Sequence, residues 1–247
     1  MTVYRCIITY DGSNFAGWQV QPGQRTVQGE INTVLRQILQ VETQVTGAGR
    51  TDTGVHAMGM HGHFELDSDK KPDIPALERS LNSLLPRDIH IRDLQQADDD
   101  FHARFTACRR SYQYRISTAP RVIGRQYWWI APWRLDVERM QRGADFLPGK
   151  RDFSVFASGL EPDISPICDV QKAVWSETDG GIFFDIQADR FLRKMVRGIV
   201  GTLADVGRGR MEPEAVGEIL ETGDHARIGG LAPPQGLFLM DVGYNHK

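Results

Sequence analysis

The chain is predicted to be an α+β protein made of two ferredoxin/RRM-like split β-α-β halves. Their mainly antiparallel sheets are expected to join side by side, with helices on one face and a basic cleft between the halves. Three observations carry the prediction. The 247 residues are 40% hydrophobic and 25% charged, the composition of a soluble globular protein. Strand-like alternation and helix-like periodicity occur in the order β-α-β-β-α-β, and that order then repeats. No residue-level repeat accompanies the second pass, so the duplication is one of topology.

Residues 3–10 alternate and end at Tyr10-Asp11-Gly12, a strand entering a turn. After the cap Thr26, Val27, Ile31, Val34, Leu35, Ile38 and Leu39 make one helical stripe. Strands follow at 43–47 and 58–66, then a helix at 75–85 with Pro75 near its start, then a strand at 88–95. The second half opens on a long strand at 106–118 and a helix capped by Asp136. Two strands flank Asp179-Gly180-Gly181, because Asp-Gly between alternating runs signals a hairpin. A helix over 190–206 presents Phe191, Leu192, Met195, Val196, Ile199, Val200 and Leu203. A short helix at 213–221 opens with Pro213, and a strand at 237–243 ends the pattern. The halves are expected to be residues 1–105 and 106–247.

No window holds the roughly 18 consecutive apolar residues of a spanning helix, and the start MTVYRCIITYDG lacks the layout of a secretory signal. A cytoplasmic protein without membrane attachment is expected. Cys6, Cys108 and Cys168 are far apart and include no C-x-x-C, so they read as buried thiols rather than disulfides or zinc ligands.

The net charge of −3 conceals an uneven distribution. Residues 1–100 carry 9 Lys+Arg against 14 Asp+Glu, whereas residues 101–150 carry 10 against 3. Arg109, Arg110, Tyr112, Tyr114, Arg115, Arg121, Arg125, Tyr127, Trp128, Trp129, Trp133 and Arg134 interleave cations with flat rings. Phosphate forks and stacking planes together suit single-stranded or splayed RNA. Solvated surface charge and ordinary core account for some of the same letters.

The most unusual stretch is GAGRTDTGVHA at 47–57, where Gly47, Gly49 and Gly54 bracket Arg50-Thr51-Asp52-Thr53 and present Asp52. A plain strand-to-strand turn has similar composition. The dinucleotide fingerprint fails, because it needs glycine where Asp52 stands. His61-x-His63, with His56 nearby, raises a metal site, but a half-exposed alternating strand explains the same letters and no metal is expected. Neither a nucleophile elbow nor a P-loop is present. On the expected 190–206 helix, Arg190, Arg193 or Lys194, and Arg197 share one face. Arg197, set among apolar neighbours, needs an anionic partner, for which Asp52 is a candidate.

Six blocks then resemble the bacterial tRNA pseudouridine synthases of the TruA type over almost the whole chain. They are YDGSNFAGWQ at 10–19, GAGRTDTGVHA at 47–57, FHARF at 101–105, RSYQY at 110–114, MVRGIVG at 195–201 and APPQGLFLMDVGY at 232–244. The resemblance implies isomerisation of uridine to pseudouridine at tRNA positions 38, 39 and 40 in the anticodon stem-loop. It also implies base flipping, no metal or organic cofactor, and a homodimer across which the tRNA lies. By motif, Asp52 is the catalytic aspartate, Tyr112 packs on the target base, Arg197 pairs with the aspartate, and Arg50 helps displace the nucleotide. Arg109, Arg110, Arg193 and Lys194 are expected RNA contacts. The resemblance leaves open whether Asp52 attacks C1′, attacks C6 or acts through a glycal. Two rivals stand beside this reading: a non-catalytic RNA-binding module and a metal-dependent RNA hydrolase built on the histidines.

Overall fold

A computed structural model describes residues 1–67, 71–161 and 163–245. It is α+β, with mixed but mostly antiparallel strand pairing. The chain groups into two compact units, residues 1–108 with 238–247, and residues 109–237. The final strand, read from the sequence as closing the second half, therefore lies with the first unit.

The first unit contains β1 (Thr2–Tyr10), α1 (Val27–Leu39), β2 (Thr46–Gly47), β3 (His56–Leu66), α2 (Ile74–Leu84) and β4 (Ile89–Gln96). β1 runs antiparallel to both β3 and β4. The other edge of β3 pairs antiparallel with β2 at Thr46↔His63 and Gly47↔Gly62. Further along that edge it pairs parallel with the last strand at Phe238↔His56. The order 4-1-3-2 is that of a split β-α-β unit. α1 forms where expected because Thr26 accepts a hydrogen bond from the Gly29 amide at 3.3 Å, while Val27, Ile31, Val34 and Leu35 are buried. Asp73 caps α2 on Ala76 at 3.2 Å. The strand expected over 43–47 shrinks to two residues. One reason is that the Val45 amide donates to the Asn32 side chain at 2.8 Å instead of to a strand.

The second unit contains β5 (Ala107–Ser117, counted from its first residue), β6 (Trp129–Ile130), α3 (Val137–Ala144), β7 (Gly149–Asp152), β8 (Ile167–Thr178), β9 (Gly181–Ala188), α4 (Met195–Gly207) and α5 (Ala215–Thr222). Its strands run in the order β5-β9-β8-β7, all antiparallel, with β6 parallel to β5. The hairpin at Asp179-Gly180 forms as read: Thr178 pairs with Gly181, whose φ of +132° suits glycine. The strand β10 (Leu237–Tyr244) follows.

α4 begins five residues later than expected. Lys194 adopts a left-handed conformation with φ 63°, and the Arg193 carbonyl accepts from the Ser158 amide at 3.0 Å. Arg190, Arg193 and Lys194 consequently sit in the turn ahead of the helix and do not share a helical face with Arg197. α4 is buried on almost every side. A Cβ on Gly198 would lie 2.9 Å from the Phe156 carbonyl oxygen, and one on Gly201 would overlap that of Gly230. Two glycines on one helix thus admit two neighbouring backbones. Gly201→Ala is expected to lower unfolding stability by about 1–3 kcal/mol or more, because the obstacle is backbone and cannot rotate away; urea denaturation measures it.

Candidate active site

The Asp52 loop joins β2 to β3, and the segment after β1 supports it from below. Tyr10, the last residue of β1, places its hydroxyl 2.8 Å from that of Thr51, and both are buried at 3% and 8% exposure. The Trp18 amide donates to the Thr51 carbonyl at 3.1 Å, and the Val55 amide closes the turn onto the Asp52 carbonyl at 3.2 Å. The Gly12 amide donates to His56 Nδ1 at 3.0 Å, while the His56 ring stacks on Phe238 with centroids 4.6 Å apart.

This layering requires glycine at particular points. At Gly17, with φ +105°, a Cβ would stand 2.6 Å from the Thr51 oxygen; at Gly12 it would overlap the Val55 oxygen. At Gly47 it would strike the Trp18 indole at 2.6 Å. Asp52 emerges half-buried from the loop, with Arg50 exposed two residues before it. Sequence reading singled out the loop but assigned no part in supporting it to Tyr10, Gly12, Gly17, Trp18 or Thr51. Their only signs were the blocks YDGSNFAGWQ and, for Thr51, GAGRTDTGVHA.

In the second unit Tyr112 lies on β5 opposite Ile186 of β9, half-buried, its ring edge-on to Phe191 at 5.2 Å. Tyr114, two residues on and so on the same face, is fully buried and donates to the Pro233 carbonyl at 2.7 Å. Burial pushes its phenol well above the usual value, and the nearby positive charge of Arg197 opposes this only in part. Arg197 projects from the first turns of α4, half-buried, and its Nε donates to the Ala232 carbonyl at 2.8 Å. The Ala232 amide returns a bond to the Arg197 carbonyl at 3.1 Å. The blocks RSYQY, MVRGIVG and APPQG thus meet around one buried tyrosine and one anchored guanidinium.

Of the expected RNA contacts, Arg109 and Arg110 lie near the start of β5, and Arg193 and Lys194 in the segment between β9 and α4. Arg110 stands opposite Ala188, and its Nη1 donates to the Asp189 carbonyl at 2.7 Å. Arg109 and Arg193 are exposed, and Lys194 is half-buried. The aromatic run at 127–133 is committed more to internal packing than its composition implied. Arg121 lies over Trp128 at 3.8 Å and Arg208 over Trp133 at 3.8 Å, while Trp129 meets Tyr114 edge-on at 6.2 Å.

The three histidines also serve the fold. His63 Nδ1 accepts from the Ala103 amide at 3.2 Å, and His61 packs against Tyr244 at 5.2 Å. Among the described residues, no group of three or more His, Cys, Asp or Glu side chains could hold a metal ion. Cys6 and Cys168 are buried as expected, which pushes their thiols up to about 12 and about 11. Cys108, by contrast, is only half-buried and donates to the Gly243 carbonyl. No helix among the described residues is long and apolar enough to cross a membrane.

A family model described as tRNA pseudouridine synthase matches residues 6–106 and 144–245. The chain belongs to this family. The tRNA pseudouridine synthase A of Geobacillus sp. (strain WCH70) is 39% identical over 98% of each chain. That of Bacillus subtilis is 40% identical over 98% of this chain and 99% of its own. That of Bacteroides thetaiotaomicron is 41% identical over 99% of this chain and 91% of its own. Membership of the tRNA pseudouridine synthase family makes the chain an isomerase acting on tRNA. The blocks around the Asp52 loop and Arg197 fall inside the matched residues, whereas RSYQY, which holds Tyr112, lies between the two matched segments.

Burial lowers the pKa values of His61 and His63 below 6.5, so the folded state favours their neutral forms. Stability from this source is complete above about pH 6.5 and is lost as pH falls below it, because the unfolded chain then binds more protons. The urea midpoint is expected to drop on acidification from about pH 7.5 to about pH 5.5, and to drop less in His61→Gln/His63→Gln.

Proposed function

We propose that the chain converts uridines 38, 39 and 40 of the tRNA anticodon stem-loop to pseudouridine, with Asp52 as nucleophile and no metal or organic cofactor. It acts in the cytoplasm as a homodimer on tRNA. The observation that carries the reading is the Asp52 loop itself. Its backbone is fixed by bonds from the Trp18 and Val55 amides, its Thr51 side chain by the Tyr10 hydroxyl, and a carboxylate stands half-buried at its turn. Support comes from the family match over the blocks that hold Asp52 and Arg197, and from relatives about 40% identical over nearly the whole chain.

The reaction breaks the bond from C1′ to N1, turns the base while it is held, and joins C5 to C1′. The C5 proton is lost and N1 gains one, so the product is an isomer. A carboxylate serves each of the three routes, attack at C1′, attack at C6 or assistance to a glycal, provided it starts ionised. A drying site favours the protonated acid, and a guanidinium opposes that by stabilising the charge. This is the role we assign to Arg197. Its bond to Ala232 makes it a fixed cation rather than a mobile one. Tyr112, braced by Phe191, offers a flat face for the base and a phenol able to take part in removing the C5 proton. Extrusion of the target nucleotide costs a few kcal/mol of stacking, and Arg50 fills the space it leaves. Arg109, Arg110, Arg193 and Lys194 hold phosphates.

Tritium release from C5-labelled uridine in an anticodon stem-loop tests the reading. Asp52→Asn is expected to lose at least about a thousand-fold in release while still binding tRNA; retained release refutes the nucleophile and leaves an RNA-binding module. Arg197→Met should lower turnover far more than tRNA affinity, and equal losses would contradict its role. Tyr112→Phe should slow release by about a hundred-fold if the phenol moves a proton; full activity would leave stacking as its whole contribution.

A further inference from the structure

Tyr10 and Thr51 form a hydroxyl pair whose position has a consequence for the reaction. Their oxygens lie 2.8 Å apart in a buried setting, bridging the end of β1 to the residue immediately before Asp52 across 41 positions of sequence. Around them run the backbone bonds from the Trp18 amide to the Thr51 carbonyl, from the Val55 amide to the Asp52 carbonyl and from the Ala48 amide to the His61 carbonyl, with the Gly12 amide on His56 Nδ1 further along. The pair is a side-chain link, and it can be removed without cutting the main chain.

We propose that the Tyr10–Thr51 hydroxyl pair is a positioning device for Asp52, setting the carboxylate's aim at the target nucleotide. The proposal rests on the reading of Asp52 as the nucleophile. Thr51 is held on two sides at once. Its carbonyl is bound by Trp18, and its side chain is bound by Tyr10. Gly17, with φ +105°, lets the chain carrying Trp18 approach to the distance where a Cβ would be 2.6 Å from that same carbonyl. With its backbone and side chain both fixed, Thr51 leaves the following peptide little rotational freedom, and Asp52 hangs from that peptide. The Trp18 indole, against Gly47 and with its centroid 6.0 Å from that of Tyr10, limits sideways movement of the phenol.

Removing the link should therefore leave substrate binding alone and spoil alignment. Displacements of about 1 Å at a reacting group cost on the order of a hundred-fold in rate. Tyr10 and Thr51 need touch neither substrate nor reacting atoms, so they are positioning residues rather than catalytic ones.

The test measures kcat and KM for C5 tritium release from tRNA, together with thermal midpoints, in Tyr10→Phe, Thr51→Val, the double variant and Thr51→Ser. Each of the first two is expected to lower kcat by about 10- to 100-fold with KM changed less than about twofold. The double variant should be no worse than the weaker single variant, because both substitutions break one bond. Thr51→Ser, which keeps the hydroxyl, should recover to within about threefold of the parent rate.

Unchanged kcat in Tyr10→Phe overturns the proposal, as do losses that multiply in the double variant or appear only in KM. If Tyr10→Phe does not fold, the comparison of Thr51→Val with Thr51→Ser decides: equal rates overturn the proposal. The parallel Asp52→Asn measurement separates the two levels. An inactive Asp52→Asn beside a fully active Tyr10→Phe removes only the positioning role, whereas an active Asp52→Asn removes the nucleophile itself.

Discussion

The constraint on which the first unit depends is the approach of one backbone to another. Residues 12–18 run directly against the main chain of residues 51–55, closer than any side chain at positions 12 or 17 would allow. The bonds that result are mutual. Trp18 binds Thr51, Gly12 binds His56, and Tyr10 reaches Thr51 through its phenol. A loop in solvent would have to lose considerable entropy to present one carboxylate in one direction. Here that ordering is completed on folding, before any substrate arrives.

The second unit uses the same device in a helix. Gly198 and Gly201 on α4 admit the carbonyls of Phe156 and Gly230, and Gly236 lets the chain pass over the Tyr114 ring. The close approach of the 229–232 segment places the Ala232 carbonyl at Arg197 Nε, which turns a long flexible cation into a fixed one. Glycine at these points therefore serves approach rather than flexibility. The two charged residues central to the proposed chemistry, Asp52 and Arg197, each stand beside a backbone contact that a methyl group would block.

Much of this was legible in the sequence wherever local chemistry settles structure. Thr26 and Asp136 cap the helices read after them, and the Asp179-Gly180 turn makes its hairpin, whereas the Asp73 cap of α2 was not read. Where tertiary bonds overrule local periodicity, the reading failed. The apolar stripe continues back through Phe191 and Leu192, yet the Arg193 carbonyl is used by Ser158 and Lys194 turns left-handed, so α4 starts at Met195. β7 was invisible because Gly149–Asp152 is exposed throughout and carries no apolar alternation. The Asp52 loop was identifiable from its own glycines. Its supports were not, because Tyr10 and Thr51 are far apart in sequence and nothing in either side chain announces the partner. The tryptophans at 128, 129 and 133 illustrate the same gap: composition records their stacking surface but not which neighbour occupies it.

The central physical claim is that the loop's backbone is held rigid by the segment beneath it, and amide hydrogen exchange tests it directly. The amides of Gly12, Trp18 and Val55 are expected to exchange as slowly as those of the paired residues of β3, because their bonds open only when the unit opens. Exchange at these three amides as fast as at exposed Arg50 and Thr53 would contradict the account, showing a carboxylate carried by a moving loop.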